Sequence, residues 1–251
     1  MAYANSRGRR IHYREFGTGA PLVLQHGFSG SLKRWIRGGY VDELAREFRV
    51  IAIDALGHGE SDKPHDPAAY RVEGQADDIV SVLDALGIDV ASYWGYSMGG
   101  RIGFALAKVA PERFRALVIG GAHPYSRVLP PTDRPDGSDP AAFIAALYKR
   151  TGIDIDILPK ETREELFAND FRALAAVQQD WPSLEAVLPT IAVPTLLYVG
   201  GDDVYAAKMQ QCAALIPGAT LITLPGLDHG SAFWATDQIL PQAIGFLRGA
   251  A

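Results

Sequence analysis

The chain has 251 residues, of which 48% are hydrophobic and 21% charged, and its formal net charge is −5. This length suits one α/β domain carrying an insertion, and the composition excludes a disordered protein. The negative charge gives no broad attraction to nucleic acid or anionic lipid. With one cysteine, no N-terminal signal pattern and no apolar run near ~20 residues, we expect a cytoplasmic protein without a membrane or nucleic-acid partner.

Short β-rich runs alternate with helical patterns along most of the chain. This order predicts a mostly parallel central sheet with helices on both faces, the α/β class. The first run is predicted to form an antiparallel strand at the start of the sheet, and the apolar runs that follow suit buried strands. The predicted strands cover residues 10–16, 22–25, 50–53, 90–94, 116–119, 195–199 and 220–224.

The alternation stops between residues 124 and 189. A proline-rich stretch, 130–140, precedes helical patterns at 141–149 and 161–179. Their apolar residues recur at spacings that form amphipathic faces, one of which can cover a ligand pocket. We therefore predict a core domain of residues 1–123 and 190–251, with a helical cap (lid) inserted at 124–189.

A candidate nucleophile lies in the sequence Trp-Gly-Tyr-Ser-Met-Gly-Gly at positions 94–100. It contains Gly-x-Ser-x-Gly between a predicted strand and a predicted helix. A serine hydroxyl is a poor nucleophile unless it is exposed and activated by a base, and a sharp strand-to-helix turn presents it above the sheet edge. Gly95 and Gly99 suit such a turn, so Ser97 is the predicted nucleophile.

Two further motifs accompany this turn. His26-Gly27-Phe28 follows an apolar strand, and positions 54–61 read Asp-x-x-Gly-x-Gly-x-Ser. Together the three motifs resemble the α/β-hydrolase superfamily, in its lid-bearing branch of esterases, lactonases and carbon–carbon bond hydrolases. The resemblance covers most of the chain and implies that the backbone N–H groups of Phe28 and Met98 form an oxyanion hole.

The family order of catalytic residues is serine, acid, histidine. It implies that the acid follows the cap, where the family pattern Gly-x-x-Asp aligns with Gly200 and Asp203. Asp202 is the alternative, because Val204 stands where many relatives have proline. His229 is the implied general base, and no other histidine follows the acid.

The earlier histidines are expected to have other roles. His26 and His58 lie in turn motifs before the nucleophile and are predicted to be structural. His123 follows a strand and is a candidate for the pocket. No His-x-x-x-His or cysteine pair has ligand spacing, so we expect neither a metal nor a cofactor.

The resemblance implies hydrolysis of a small carboxylic ester or lactone through an acyl-enzyme. Carbon–carbon bond hydrolysis and cofactor-free perhydrolysis are alternatives with the same triad, and a non-catalytic receptor on this fold is a third. Aromatic residues near the motifs predict an apolar substrate pocket. Its predicted members are Tyr96, Tyr125, Phe233 and Trp234.

A substrate that carries a carboxylate needs a cationic group in the pocket. The sequence offers several basic residues near the motifs without distinguishing among them. The candidates are Lys33, Arg34, Arg101 and Arg127. The oligomeric state cannot be deduced from the sequence.

Overall fold

The computed structural model describes residues 2–130, 133–151, 159–178 and 180–250. Its centre is an eight-stranded sheet in the order β1-β2-β4-β3-β5-β6-β7-β8. The strands are β1 (Ala2–Ser6), β2 (Arg9–Phe16), β3 (Ala20–Gln25), β4 (Phe48–Ile53), β5 (Ala91–Tyr96), β6 (Phe114–Gly120), β7 (Thr195–Gly200) and β8 (Thr220–Leu224).

The sheet is antiparallel at one edge and parallel elsewhere. β2 pairs antiparallel with both β1 and β4, whereas the pairs from β4 through β3, β5, β6 and β7 to β8 are parallel. The predicted mostly parallel sheet is confirmed. β1 was not predicted; its five residues are too few for a clear alternation, and pairing with β2 stabilises them as a strand.

Helices cover both faces of the sheet. They are α1 (Lys33–Arg37), α2 (Tyr40–Leu44), α3 (Val72–Ala85), α4 (Met98–Val109), α5 (Pro140–Thr151), α6 (Lys160–Phe167), α7 (Phe171–Val177), α8 (Ala206–Leu215), α9 (Ser231–Trp234) and α10 (Thr236–Gly249). One apolar cluster joins the sheet to α3, α4 and α8, and a second joins it to α1, α2 and α10.

The central strands are mostly apolar because they are covered on both faces. Every residue of β5 and β7 is buried. Side chains alternate between faces along a strand, so Tyr93 joins the cluster under α4 whereas Trp94 joins the cluster under α1. The sheet therefore holds the carboxyl ends of β3, β5, β6 and β7 in fixed positions, at the edge where ligands bind in open α/β sheets.

The insertion between β6 and β7 contributes α5, α6 and α7. These helices share a small apolar core formed by Phe143, Ile144, Leu166, Phe171 and Leu174. The single helix predicted at 161–179 is wrong: it is divided into α6 and α7, because the Asp170 side chain accepts a hydrogen bond from the N–H of Ala173 at 3.0 Å and begins a new helix. Part of the predicted cap, residues 152–158, lies outside the described residues.

Candidate active site

Ser97 lies at the sharp turn between β5 and α4. Its backbone has φ +55° and ψ −112°, a conformation that costs a non-glycine residue about 1–3 kcal/mol. The turn requires glycine on both sides: a Cβ at Gly95 would collide with the backbone of Gly99, and one at Gly99 with the carbonyl of Gln25. This turn, residues 95–99, which we call the elbow, therefore packs against β3 and places Ser97 at the carboxyl edge of the sheet.

His229 and Asp203 converge on this hydroxyl. Nε2 of His229 lies 2.9 Å from Oγ of Ser97, and Nδ1 lies 2.7 Å from Oδ2 of Asp203. The Asp203 side chain is fully buried, whereas 30% of the His229 side chain is exposed. The imidazole thus contacts a hydroxyl at one nitrogen and a desolvated carboxylate at the other.

Loops at the ends of β7 and β8 fix this geometry. Asp203 follows β7, and its Oδ1 accepts a hydrogen bond from the N–H of Tyr205 at 2.9 Å. The hydroxyl of Tyr96 donates to the carbonyl of His229 at 2.5 Å, and the ring of Tyr205 packs edge-on against the imidazole. Asp202, the alternative acid, is exposed. Among the described residues, the carboxylate that contacts the imidazole of His229 is that of Asp203.

The turn after β3 passes directly beside Ser97. A Cβ at Gly27 would lie 3.2 Å from Cβ of Ser97, so the main chain that leads to Phe28 borders the hydroxyl. Met98 is the first residue of α4, where the N–H group has no partner within the helix. Phe28, Met98, Ser97 and His229 all line one cavity.

Residues of the insertion form hydrogen bonds to the turn after β3. Ser29 has φ +59°, and its carbonyl accepts hydrogen bonds from Nδ2 of Asn169 at 3.1 Å and from Arg34 at 3.3 Å. Glu165 of α6 accepts hydrogen bonds from Ser31 at 2.6 Å and from Arg34 at 3.2 Å. The segment that carries Phe28 is therefore connected directly to α6 and the residues that follow it.

His26 and His58 lie beneath the site and are buried. Nε2 of His26 accepts the N–H of Ala55 at 3.0 Å, and its Nδ1 lies 2.7 Å from the Gly27 carbonyl. Burial lowers the pKa of His26, and burial together with His26 lowers the pKa of His58 to about 3. Both histidines are neutral at pH 7. His26 connects the turn after β3 to the turn after β4, and the ring of His58 packs against those of His26 and Phe28.

A cavity of about 810 Å³ lies between the sheet and the insertion. Tyr96, Tyr125, Phe233 and Trp234 are not among the residues that line it, so the predicted membership of the pocket is revised. Tyr96 and Phe233 belong instead to the apolar cluster under α1, because the strand and the loop direct their rings to that face. His123 is also outside the lining and is buried against Tyr125 and Tyr205.

The lining includes residues that the sequence interpretation missed. Trp181 and Tyr205 lie far from Ser97 along the chain and carry no motif, although an isolated tryptophan at the end of the insertion was a signal that could have been used. Cζ of Arg127 lies 3.5 Å from the centroid of the Trp181 ring, and Cζ of Arg101 lies 4.8 Å from it. One wall of the cavity is thus both aromatic and cationic.

Of the four basic candidates, the structure brings Arg101 and Arg127 to the cavity. Lys33 borders a separate, smaller depression, and Arg34 pairs with Glu165 at 3.2 Å. Among the described residues, no group of three or more histidine, cysteine or acidic side chains is placed to hold a metal ion. No described helix is long and apolar enough to span a membrane.

A sequence model for the alpha/beta hydrolase fold matches residues 20–151, which is more than half of the chain. The chain belongs to the α/β-hydrolase family. The match begins with β3 and includes the turn after β3, the elbow at Ser97 and the first helix of the insertion. This α/β hydrolase is therefore an enzyme of a family whose relatives are largely hydrolases.

Curated and structural relatives agree with this assignment. The hydrolase is 28% identical to a putative 2-succinyl-6-hydroxy-2,4-cyclohexadiene-1-carboxylate synthase of Bacillus subtilis, over 83% of each chain. It resembles the crystal structure of an enol-lactonase from Burkholderia xenovorans, with TM-score 0.81 and 25% identity over 98% of this chain and 100% of that one. For the esterase RhEst1 of a Rhodococcus species, the TM-score is 0.83 and identity 25%, over 100% of this chain and 99% of that one.

Proposed function

We propose that this hydrolase cleaves a small carboxylic ester or lactone through a covalent acyl-enzyme on Ser97. The observation that carries the proposal is the 2.9 Å separation between Oγ of Ser97 and Nε2 of His229, within the range for direct proton transfer. Asp203 holds Nδ1 of the same ring at 2.7 Å. In this assignment Ser97 is the nucleophile, His229 the general base and Asp203 the orienting acid.

Acylation follows from this geometry. Oγ of Ser97 forms a bond to the carbonyl carbon while Nε2 of His229 takes the hydroxyl proton, and the carbonyl oxygen becomes an oxyanion. The buried carboxylate of Asp203 stabilises the imidazolium that results. When the tetrahedral intermediate collapses, the carbon–oxygen bond of the ester breaks, and His229 returns its proton to the departing alkoxide. In a lactone that hydroxyl stays attached to the acyl chain.

Deacylation repeats these steps with water. His229 takes a proton from a water molecule whose oxygen attacks the acyl carbon, and the bond to Oγ of Ser97 then breaks. His229 gives the proton back to Ser97, and the carboxylic acid leaves. The partial exposure of His229 is consistent with entry of water at this stage.

The oxyanion requires fixed donors at the place where its charge develops. We assign this role to the backbone N–H groups of Phe28 and Met98, which border Ser97 on two sides. Loss of one such donor typically costs about 3–4 kcal/mol in the barrier. We also assign residues 124–189 as a cap, because Leu129, Leu147 and Trp181 of this segment line the same cavity as Ser97.

The comparisons support the ester or lactone assignment at the level of chemistry. Two of the structural relatives are named as an enol-lactonase and an esterase, and both overlap nearly the whole of this chain. A cavity of about 810 Å³, whose lining includes Phe28, Met98 and Ile102, suits a small organic substrate.

A panel of p-nitrophenyl esters of increasing acyl length, with γ- and δ-lactones, tests this function. We expect the wild-type chain to release p-nitrophenol and Ser97→Ala to lose at least about 10⁴-fold in kcat. A phosphonate ester should label the wild-type chain at one position, and Ser97→Ala should stay unlabelled. An unchanged rate in Ser97→Ala would contradict the mechanism, and binding without turnover by the wild type would indicate a receptor.

A further inference from the structure

The two hydrogen bonds of the His229 imidazole leave part of its position undetermined. Nδ1 bonds to Asp203 and Nε2 to Ser97, both in the plane of the ring. Bonds in that plane resist rotation within it, but they resist tilting of the ring and movement across the plane only weakly. A base that must take a proton from Ser97 therefore needs further contacts, to its main chain or to the faces of its ring.

Tyr96 supplies contacts of both kinds. Its hydroxyl donates to the main-chain carbonyl of His229 at 2.5 Å, and the centroids of the two rings lie 5.4 Å apart at an interplanar angle of 39°. Burial raises the pKa of Tyr96 well above its usual range, so the hydroxyl keeps its proton and remains a donor at pH 7. Because Tyr96 directly precedes Ser97, the end of β5 holds both the nucleophile and the main chain of the base.

The ring of Tyr96 has little room to move. The residue is 5% exposed, and its ring centroid lies 5.7 Å from that of Tyr198 and 5.1 Å from that of Phe233. A Cβ at Gly121, where φ is +54°, would come within 3.0 Å of Cζ of Tyr96 and of Cε1 of His229. The main chain after β6 thus fits closely against both rings. A hydroxyl on so confined a ring is a fixed point for the segment that carries His229.

We propose that Tyr96 is a positioning residue that ties the general base to the elbow. A displacement of about 1 Å at a catalytic group can cost about 10²-fold in rate, so a fixed main chain at His229 keeps Nε2 within reach of Oγ of Ser97. When the acyl-enzyme forms, the hydroxyl of Ser97 loses its proton and can no longer donate to the imidazole. The contacts with Tyr96 do not depend on that proton, and they hold His229 in place for deacylation.

The position of Tyr96 outside the cavity separates this role from substrate binding. Ser97 and His229 line the cavity, whereas Tyr96 is not among its described lining residues and packs in the cluster under α1. Loss of the hydroxyl therefore removes no contact with the substrate. A positioning role predicts a lower kcat at constant KM, whereas a role in the pocket would change KM.

This inference rests on the proposed function, and Tyr96→Phe tests it because the substitution removes only the hydroxyl. With p-nitrophenyl butyrate we expect kcat to fall at least tenfold and KM to stay within twofold of the wild-type value. Proton NMR at pH 7.5 gives a readout without turnover, through the Nδ1 proton of His229 in its bond to Asp203. That resonance is assigned by its absence from His229→Gln, and we expect Tyr96→Phe to shift or broaden it.

Tyr40→Phe is the matched control. The hydroxyl of Tyr40 donates to the carbonyl of Phe233 at 2.6 Å, in the same segment after β8, and it also bonds to Tyr198. This variant therefore loses at least as much buried hydrogen bonding as Tyr96→Phe, four residues away from His229. We expect its melting temperature to fall at least as far, with kcat within twofold of the wild-type value and the NMR resonance unchanged.

Two kinetic results would overturn the role of Tyr96: a wild-type kcat in Tyr96→Phe, or equal losses of kcat in Tyr96→Phe and Tyr40→Phe. A failure of the hydrolase assignment looks different, because the wild-type chain would then show no release that Ser97→Ala abolishes. The NMR resonance still tests the inference in that case. A change in Tyr96→Phe but not in Tyr40→Phe would support it, and the same resonance in both variants and the wild type would contradict it.

Discussion

Two adjacent aspartates after β7 have different environments. Asp203 is 5% exposed and contacts the imidazole of His229, whereas Asp202 is exposed at the entrance of the cavity. The difference arises because the turn directs only one of two consecutive side chains inward. Gly200 permits this approach, since a Cβ there would collide with the main chain of Leu227.

The pair Asp203→Asn and Asp202→Asn separates the two roles at the level of single residues. Asparagine at 203 keeps the shape but holds the imidazole in the wrong tautomer, so we expect kcat to fall by about 10³–10⁴-fold. The same substitution at 202 should cost far less, because its side chain contacts solvent. Initial rates with p-nitrophenyl butyrate measure both. Equal losses in the two variants would contradict the assignment of Asp203.

The positions of single residues were predictable only where a motif fixed the backbone. Ser97 and His229 are marked by turn motifs, and the structure brings their side chains together. Proximity in sequence was a poor guide to the pocket, because Tyr96 directly precedes Ser97 and yet packs under α1. Alternation along β5 directs Tyr96 to that face, and the turn then reverses the chain's direction.

At the scale of secondary-structure elements, α6 and the segment after it are joined to the turn that carries Phe28. Glu165 accepts hydrogen bonds from Ser31 and Arg34, and Asn169 donates to the carbonyl of Ser29 at 3.1 Å. Burial raises the pKa of Glu165, but Arg34, Ser31 and Arg37 outweigh burial, so the carboxylate is charged at pH 7. The position of the insertion and the shape of the turn that carries Phe28 are therefore coupled.

Asn169→Ala tests this coupling. The substitution removes the hydrogen bond to the Ser29 carbonyl together with those to the carbonyls of Glu165 and Leu166. Loss of the bond to Ser29 loosens the turn by about 1 kcal/mol, and we expect kcat for a short neutral ester to fall about fivefold with little change in KM. Asn5→Ala is the matched control, since Asn5 accepts the N–H of Gly8 in the distant β1–β2 turn. A changed KM at constant kcat, or the same loss in both variants, would contradict the coupling.

The elements themselves were predictable in proportion to their burial and length. Apolar runs such as β3 are strong signals, and so is the helical spacing of Ile79, Val82 and Leu83 in α3. The break between α6 and α7 was missed because apolar residues continue with helical spacing on both sides of Asp170. Only the local cap at Asp170 distinguishes two helices from one.

At the scale of the whole molecule, several buried histidines link stability to pH. Burial and the charge of His26 lower the pKa of His58 to about 3, and burial, Lys208, Arg101 and Arg127 lower the pKa of His123 to about 4. Exposed histidine titrates near 6.5. Between these values the unfolded chain binds more protons than the folded chain, so stability is lost as the pH falls.

We therefore expect the free energy of unfolding to decrease from pH 7 to pH 5, by about 2 kcal/mol for each of these histidines. Urea titrations at the two pH values measure the loss. His123→Gln and His58→Gln should each reduce the difference between pH 7 and pH 5, even where the variant is less stable overall. If the free energy of unfolding of both variants falls between pH 7 and pH 5 by as much as in the wild type, these two histidines do not determine the acid sensitivity.

The insertion enters and leaves the core at a single place. Leu184 donates its N–H to the carbonyl of Pro124 at 2.8 Å. Arg101 of α4 donates to the carbonyls of Tyr125, near the start of the insertion, and Pro182, near its end. The two chain ends of this segment are thus held together by the scaffold. We expect that a different segment joined at the same two points would leave Ser97 in place, so chimeras that exchange this segment should change the choice of substrate.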